Sequence, residues 1–225
     1  MAARPEKPLS NTQRALQELR RMIFTGELPG GSDHLESELA ERLGMSRTPV
    51  REAALMLESQ GLLEMRPRKG VRILPVSPED MREIYEVLTE LESLAAERAA
   101  RAKPGADDLA QLERAIADMD AALAREDREA WAEADDRFHG ELVRLGGNSR
   151  VAAIVAMMGD QVRRAKAVTL YIRPLPTQSN SDHREVLDAI RRGDADAARR
   201  LHRAHRERAR EMMVSLLERH RLSSL

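Results

Sequence analysis

The chain has 225 residues, of which 42% are hydrophobic and 33% are charged, and its net charge is −1 at pH 7. This composition predicts a folded protein with one large or two small domains, because enough apolar residues are present to fill a core. The lack of cysteine excludes disulfides, thiolate metal sites and thiol catalysis. With no signal-peptide pattern and no apolar run long enough to span a bilayer, we expect a cytoplasmic protein without a membrane partner.

The first part of the chain alternates helix signals with glycine stops. Ser10 and Gln13 form a capping-box pattern that starts a helix ending near Thr25. The remaining predicted elements are two shorter helices and two strands, at about 36–43, 46–60, 62–65 and 71–74. The strands flank a basic turn that contains proline and glycine. We therefore expect a winged helix-turn-helix domain, with a small β-hairpin as its wing, over residues 9–75.

The second part follows Pro75 and Pro78, which break regular structure. Ser77 is a suitable N-cap, and apolar residues then recur at helical spacing. Six helices are predicted, at roughly 78–102, 106–125, 127–145, 149–173, 181–192 and 194–220. No strand pattern is present in this part, so we expect an all-α six-helix antiparallel bundle over residues 79–218. The predicted fold class is mainly α.

The helix that starts at Ser46 has the features needed to read DNA. Its apolar residues share one face, whereas Arg47 and Arg51 are four residues apart on another. Arginine can bind O6 and N7 of guanine with two hydrogen bonds, and free N–H groups at a helix start suit phosphate. Lys69 lies in the basic turn, within reach of a DNA backbone. The alternative is that these residues are ordinary solvated surface charges.

Two segments, LAERLGMSRTPVREA at 39–53 and LESQGLL at 57–63, resemble the DNA-binding domain of GntR-family regulators. A Pro-Gly-Gly turn at 29–31 and an Arg-Lys-Gly wing tip at 68–70 match as well. By position, the resemblance implies DNA contacts from Ser46, Arg47, Thr48, Arg51, Lys69 and Gly70. It also implies a transcriptional regulator, with repression as the expected mode, that binds a palindromic double-stranded operator.

Four residues of the second part can hold a metal ion. Asp135 and His139 are four residues apart and flank the apolar stripe of one helix. His183 and His205 lie at similar distances before and after the turn at Gly193, so antiparallel helices can bring them level. Neutral imidazoles with one carboxylate suit zinc, nickel, manganese or iron. The alternative is that each histidine is a half-buried, hydrogen-bonded side chain.

The segments DDRFHGEL at 135–142 and HREVLDAIRRGD at 183–194 resemble the FCD effector-binding domain, which is all-helical and marks the FadR-type branch of the GntR family. In many members an Asp and three His hold a divalent metal that helps to bind a carboxylate effector. The resemblance implies that Asp135, His139, His183 and His205 hold such a metal, with zinc preferred over nickel, manganese or iron.

One position departs from that family. Leu88 stands where FCD domains often carry an arginine that meets an acidic ligand. Arg163 and Arg164 are the candidates to supply this effector-binding charge, although a solvated helix face is an alternative for both. A small carboxylate effector remains the expected ligand.

A single recognition helix reads few bases, so we expect a homodimer on two half-sites. The apolar stripe Leu201, Met212 and Leu216 of the last helix is its expected interface. Two alternative functions are a metal-dependent hydrolase-like enzyme that uses the three histidines and the aspartate, and an architectural DNA-binding protein without an effector. No nucleophile, phosphate-loop or dinucleotide motif is present in the sequence, which argues against an enzyme.

Overall fold

The structure is a computed structural model that describes residues 9–220. The signal-peptide prediction concerns residues 1–8, which lie outside that range. Contacts divide the chain into two compact units, with the boundary between Val76 and Ser77. Over the described range, no helix combines the length and apolar character needed to cross a membrane.

The first unit contains three helices and three strands. These are α1 (Asn11–Phe24), β1 (Asp33–His34), α2 (Glu36–Arg42), α3 (Arg47–Glu58), β2 (Leu63–Arg66) and β3 (Gly70–Ile73). The predicted capping box at Ser10 and Gln13 is present and starts α1. The three strands form one antiparallel sheet in the order β1-β3-β2, and β2 and β3 are the hairpin wing. The sequence did not indicate β1, because a two-residue strand is too short to show alternation.

The second unit is built from six helices in its described residues. They are α4 (Pro78–Ala102), α5 (Ala106–Ala124), α6 (Arg128–Leu145), α7 (Ser149–Thr169), α8 (Thr177–Arg191) and α9 (Ala195–Arg219). The predicted N-cap is confirmed, because the Ser77 hydroxyl accepts a hydrogen bond from the backbone N–H of Asp80. The fold class, mainly α with a small wing after a helix-turn-helix, is also confirmed.

The segment between α7 and α8 differs from the prediction. Helix α7 ends at Thr169 instead of 173, and α8 begins at Thr177 instead of 181. Pro174 and Pro176 keep the chain out of a helix here, and Pro176 is the N-cap residue of α8. The first turns of α8 are polar, so apolar spacing could not indicate their start.

The apolar stripe of α9 faces the interior of its own unit. Leu216 is buried, Leu201 packs against the main core, and Met212 lines a cavity. Because α9 uses these residues to pack within the unit, they are not a free surface for a second copy, and a dimer interface on the C-terminal helices stays a prediction. Large exposed apolar side chains occur instead on α7, among them Ile154 and Met157.

Candidate functional site

Arg47 and Arg51 lie on the solvent side of α3, and their side chains are 70% and 64% exposed. Both guanidinium groups approach the Glu36 carboxylate, at 3.8 and 3.9 Å. Exposed pairs at this distance are weak, so both arginines stay available to a ligand. Together with Arg66 and Arg68 of the wing, they line one groove of the first unit.

Gly70 also lines this groove, and the other predicted DNA-contacting residues are exposed. Ser46 is the N-cap residue of α3, but its side chain makes no capping hydrogen bond, so the exposed hydroxyl is free for a phosphate. Thr48 and Lys69 are exposed as well. Gly70 has a φ of +85°, and a Cβ there would lie 2.1 Å from the carbonyl oxygen of His34. Glycine is therefore required at the wing by close backbone packing against β1.

The structure brings the four predicted metal-binding residues together in the second unit. Asp135 and His139 lie one turn apart on α6, while His183 comes from α8 and His205 from α9; all are buried. The Nε2 atoms of His183 and His205 are 3.2 Å apart. Oδ1 of Asp135 lies 3.5 Å from Nε2 of His183 and 3.7 Å from Nε2 of His139. Donors about 2.1 Å from a tetrahedral zinc ion are about 3.4 Å from one another, so this spacing fits one ion.

The hydrogen bonding of these donors also fits a metal. Oδ1 of Asp135 and Nε2 of His139 are buried and have no hydrogen-bond partner in the protein. Buried polar atoms without partners are rare and costly, and a bound ion is one of the few explanations for them. Burial, the largest effect, lowers the pKa of His139 and of His183 well below its ordinary value. Both rings are therefore neutral, which is the form that binds metals.

Lys166 on α7 restricts how Asp135 can bind. Its Nζ lies 2.6 Å from Oδ2 of Asp135 and 2.6 Å from Oδ1 of Asp136. Burial disfavours a charge on Asp135, but the neighbouring Lys166 ammonium favours it, and the pKa of Asp135 lies far below its ordinary value. Asp135 is therefore ionised, and Oδ1 is left as its metal-binding atom.

Two carboxylates that sequence reasoning missed face the imidazole rings. Oδ2 of Asp182 lies 3.1 Å from Nδ1 of His205. Oε2 of Glu92, on α4, lies 2.9 Å from Nδ1 of His139, although the angles are not those of a hydrogen bond. Such carboxylates commonly orient metal-binding histidines. Glu92 could have been found, because its spacing of four from Leu88 places a charge on the apolar stripe of α4.

His202, on α9, is fully buried as well. Its Nε2 lies 3.5 Å from Oε2 of Glu92, and neither ring nitrogen has a hydrogen-bond partner in the protein. Glu92, His139 and His202 thus form a second group of potential ligand atoms, all within 4.8 Å of one another.

A cavity with about 650 Å³ of empty volume, part of it open to solvent, adjoins the metal-binding residues. Asp135, His139 and His205 lie in its wall, beside the aromatic rings of Tyr85 and Trp131. Its cationic side chains are Arg128, Lys166, Arg173 and Arg206. An anion in this cavity could therefore reach both a metal and several positive groups.

Arg163 and Arg164 do not line this cavity. Arg163 is exposed and pairs with Asp136 at 3.1 Å and Asp160 at 3.4 Å. Arg164 is buried elsewhere, and burial lowers its pKa to about 10. Neither arginine is therefore placed to meet a ligand in this cavity, where Lys166 is the cationic side chain contributed by α7.

Both units of the chain match known protein families. The FCD domain matches residues 83–208, and the bacterial regulatory proteins of the gntR family match residues 11–73. An uncharacterized HTH-type transcriptional regulator of Agrobacterium vitis is 46% identical over 131 residues, which are 57% of this chain and 77% of that protein. A D-xylose utilization operon transcriptional repressor of Paenarthrobacter nicotinovorans is 31% identical over 176 residues, 78% of this chain and 76% of that protein.

A solved structure shares the overall architecture. The GntR transcriptional regulator of Rhodococcus sp. RHA1 is 25% identical, with a TM-score of 0.74, and the match covers 92% of this chain and 99% of that one.

Proposed function

We propose a mechanism of transcriptional control for this chain, which belongs to the GntR family of bacterial transcription regulators and carries an FCD domain. It binds an operator as a homodimer in the cytoplasm, and a small carboxylate bound at a metal in the helical unit changes its affinity for DNA. Members of this family are regulators and not enzymes, so the hydrolase alternative is set aside. We infer repression because a relative with 31% identity is an operon repressor.

One observation carries the proposal for effector control: four buried metal-donor side chains lie together, and three of them are in the wall of a cavity that has a small excess of cationic side chains. Asp135, His139, His183 and His205 would hold the ion, and their nitrogen and oxygen donors suit zinc, with nickel, manganese and iron as alternatives. A divalent ion that expands beyond four ligands there would offer the added position to an anionic oxygen.

The cavity supports a small carboxylate as the effector. Four cationic side chains face three acidic ones in its wall: Arg128, Lys166, Arg173 and Arg206 against Glu126, Asp127 and Asp135. A divalent ion would raise the positive excess further. Arg173 and Arg206 therefore supply charge that the sequence lacks at Leu88, and Tyr85 and Trp131 give the cavity apolar surface for a carbon skeleton.

In the DNA-binding unit, the groove between α3 and the wing supports operator recognition. Arg47 and Arg51 would bind base edges, while Ser46, Thr48, Lys69 and the Gly70 backbone would bind phosphates. The exposure of Arg47 and Arg51 beside the wing supports this assignment. An effector alters DNA affinity only if it binds one arrangement of the protein better than another. The expected change is about 5–150-fold, the usual range for such coupling.

A DNA titration tests the mechanism. Operator affinity is measured for metal-loaded protein, chelated protein and a His183→Ala variant, each with a panel of small carboxylates. We expect at least one acid to shift the affinity of loaded protein and none to shift that of the variant. His220→Ala, which removes an exposed histidine, is the matched control. Equal responses of loaded protein and the His183 variant would contradict metal-dependent sensing.

A further inference from the structure

We infer that Glu92 is a positioning residue of the metal site: its carboxylate fixes the His139 ring so that Nε2 faces the metal. The inference rests on the proposed metal site. Glu92 is only 2% exposed and lies on α4, whereas the four proposed ligands lie on α6, α8 and α9. It therefore brings a fourth helix into the site without binding the ion.

The two oxygens of Glu92 have different partners. Oε2 lies 2.9 Å from Nδ1 of His139 and 3.5 Å from Nε2 of His202. Oε1 accepts a hydrogen bond of 3.0 Å from the guanidinium of Arg206, which is itself buried and lies over the Tyr85 ring, 5.0 Å from its centre. Arg206 thus holds one end of the carboxylate and leaves the other against the two imidazoles.

This arrangement selects one tautomer of His139. A neutral imidazole carries one proton, and an ionised carboxylate can only accept. Oε2 of Glu92 lies 2.9 Å from Nδ1, and although the angles are not those of a hydrogen bond, a negative oxygen this close favours the proton on Nδ1 by electrostatic attraction. That tautomer leaves the lone pair of Nε2 toward Asp135 and the other histidines, and carboxylates beside metal-binding histidines commonly act in this way.

A Glu92→Gln substitution should reverse this preference. Arg206 has only donors, so it would retain the amide oxygen and turn the amide NH₂ toward Nδ1 of His139. Nδ1 would then have to accept, and the ring proton would move to Nε2, the metal-binding atom. The side chain keeps its size, so any loss of metal affinity would come from orientation rather than from a cavity.

A second metal ion among Glu92, His139 and His202 is the competing interpretation, because their ligand atoms lie within 4.8 Å of one another. Two observations disfavour it. The Glu92 carboxylate already pairs with the positively charged guanidinium of Arg206. His139 would also have to lose both ring protons to bind two ions at once, which is a demanding requirement for an imidazole.

The test compares full-length wild type with Glu92→Gln and with Glu90→Gln, which alters an exposed carboxylate on the same helix. Affinities for Zn²⁺ and Co²⁺ are measured by chelator competition, stoichiometry by native mass spectrometry, and coordination by the visible spectrum of the Co²⁺ form. Circular dichroism and thermal unfolding of the metal-free proteins show whether each variant folds.

We expect one ion per wild-type chain, a roughly 10–100-fold loss of affinity and an altered Co²⁺ spectrum in Glu92→Gln, and no change in Glu90→Gln. Wild-type affinity and spectrum in a folded Glu92→Gln protein would overturn the inference and leave the proposed metal site standing. Two ions per wild-type chain and one in the variant would replace it with a second metal site. Absence of binding by wild type would overturn the proposed metal site itself.

Discussion

His202 and His205 lie three residues apart on α9, and both are buried. Only His205 groups with His139 and His183 as potential ligands of one ion, whereas His202 faces Glu92. We expect His205→Ala to abolish tight metal binding and His202→Ala to retain one ion per chain. Native mass spectrometry of the two variants checks this. Loss of the ion from both variants, with folding intact, would show that His202 is also needed as a ligand.

The buried histidines should make the metal-free helical unit sensitive to acid. Burial, first among the causes, holds the pKa of His139, His183 and His202 well below its ordinary value in the folded protein. In the unfolded chain each pKa returns to about 6.5. Below that pH the unfolded state binds more protons, so stability is full above about pH 7 and falls as the pH decreases. Each histidine contributes up to about 1.4 kcal/mol per pH unit.

Urea unfolding in chelator between pH 8 and pH 5 measures this dependence. Trp131 is the only tryptophan in the chain and lies in α6, so its fluorescence reports on the helical unit. His202→Leu should flatten the dependence by one histidine's share, and His220→Ala should leave it unchanged because that residue is exposed. Identical slopes for wild type and His202→Leu would contradict the assignment of His202 as a buried neutral group.

Sequence reasoning could select Asp135 and His139 because they are close in the chain and flank one stripe. It selected His183 and His205 because they lie at similar distances before and after the turn at Gly193, and because of the family resemblance. Glu92, Asp182 and Lys166 were missed, because they reach the site from three different helices. Their proximity depends on how helices distant in sequence pack, which residue spacing does not contain.

Helix α3 and the wing together present one basic groove to solvent. Arg51→Ala should cost about 1–3 kcal/mol of operator binding and relax the preference at one base pair, as expected for a lost bidentate contact with guanine. Lys69→Ala should weaken binding to all sequences alike and reduce the slope of log affinity against log salt by about 1. Titrations at several salt concentrations with operator and scrambled DNA separate the two effects. A uniform loss for Arg51→Ala would assign that residue to phosphate.

At the scale of elements, regular helices were predictable and irregular segments were not. The start of α4 follows from Ser77 and the adjacent proline, which are local signals. Strand β1 has no such signal, because its two residues are held only by pairing with β3. The early start of α8 also has no local signal. Its polar first turn includes the buried Asn180, whose side-chain oxygen accepts a hydrogen bond from Trp131 of α6, a residue distant in sequence.

The exposed face of α7 is the surface that we expect to join two copies of the chain. Ile154, Met157 and Val168 lie within about 60° of one another on a helical projection, and all are exposed. Neighbouring apolar side chains at a surface commonly mark an interaction site. Met157→Glu should lower the mass measured by light scattering toward that of one chain and weaken operator binding. Glu133→Lys changes the charge of an exposed residue of α6 and serves as the control. A dimeric mass for Met157→Glu would move the interface elsewhere.

The stretch between α7 and α8 has two sides. Arg173 and Pro174 belong to the cavity wall, whereas Tyr171 and Ile172 point to solvent and continue the exposed apolar surface of α7. A molecule that orders this stretch from inside would also change how well its outer side fits a second copy. If an effector binds on the inside and a second copy on the outside, mass action would couple the occupancy of the effector site to self-association. The apparent dissociation constant of the effector would then depend on the concentration of the protein itself. Cells that make more of this regulator would respond at a different metabolite level, with no change in the site.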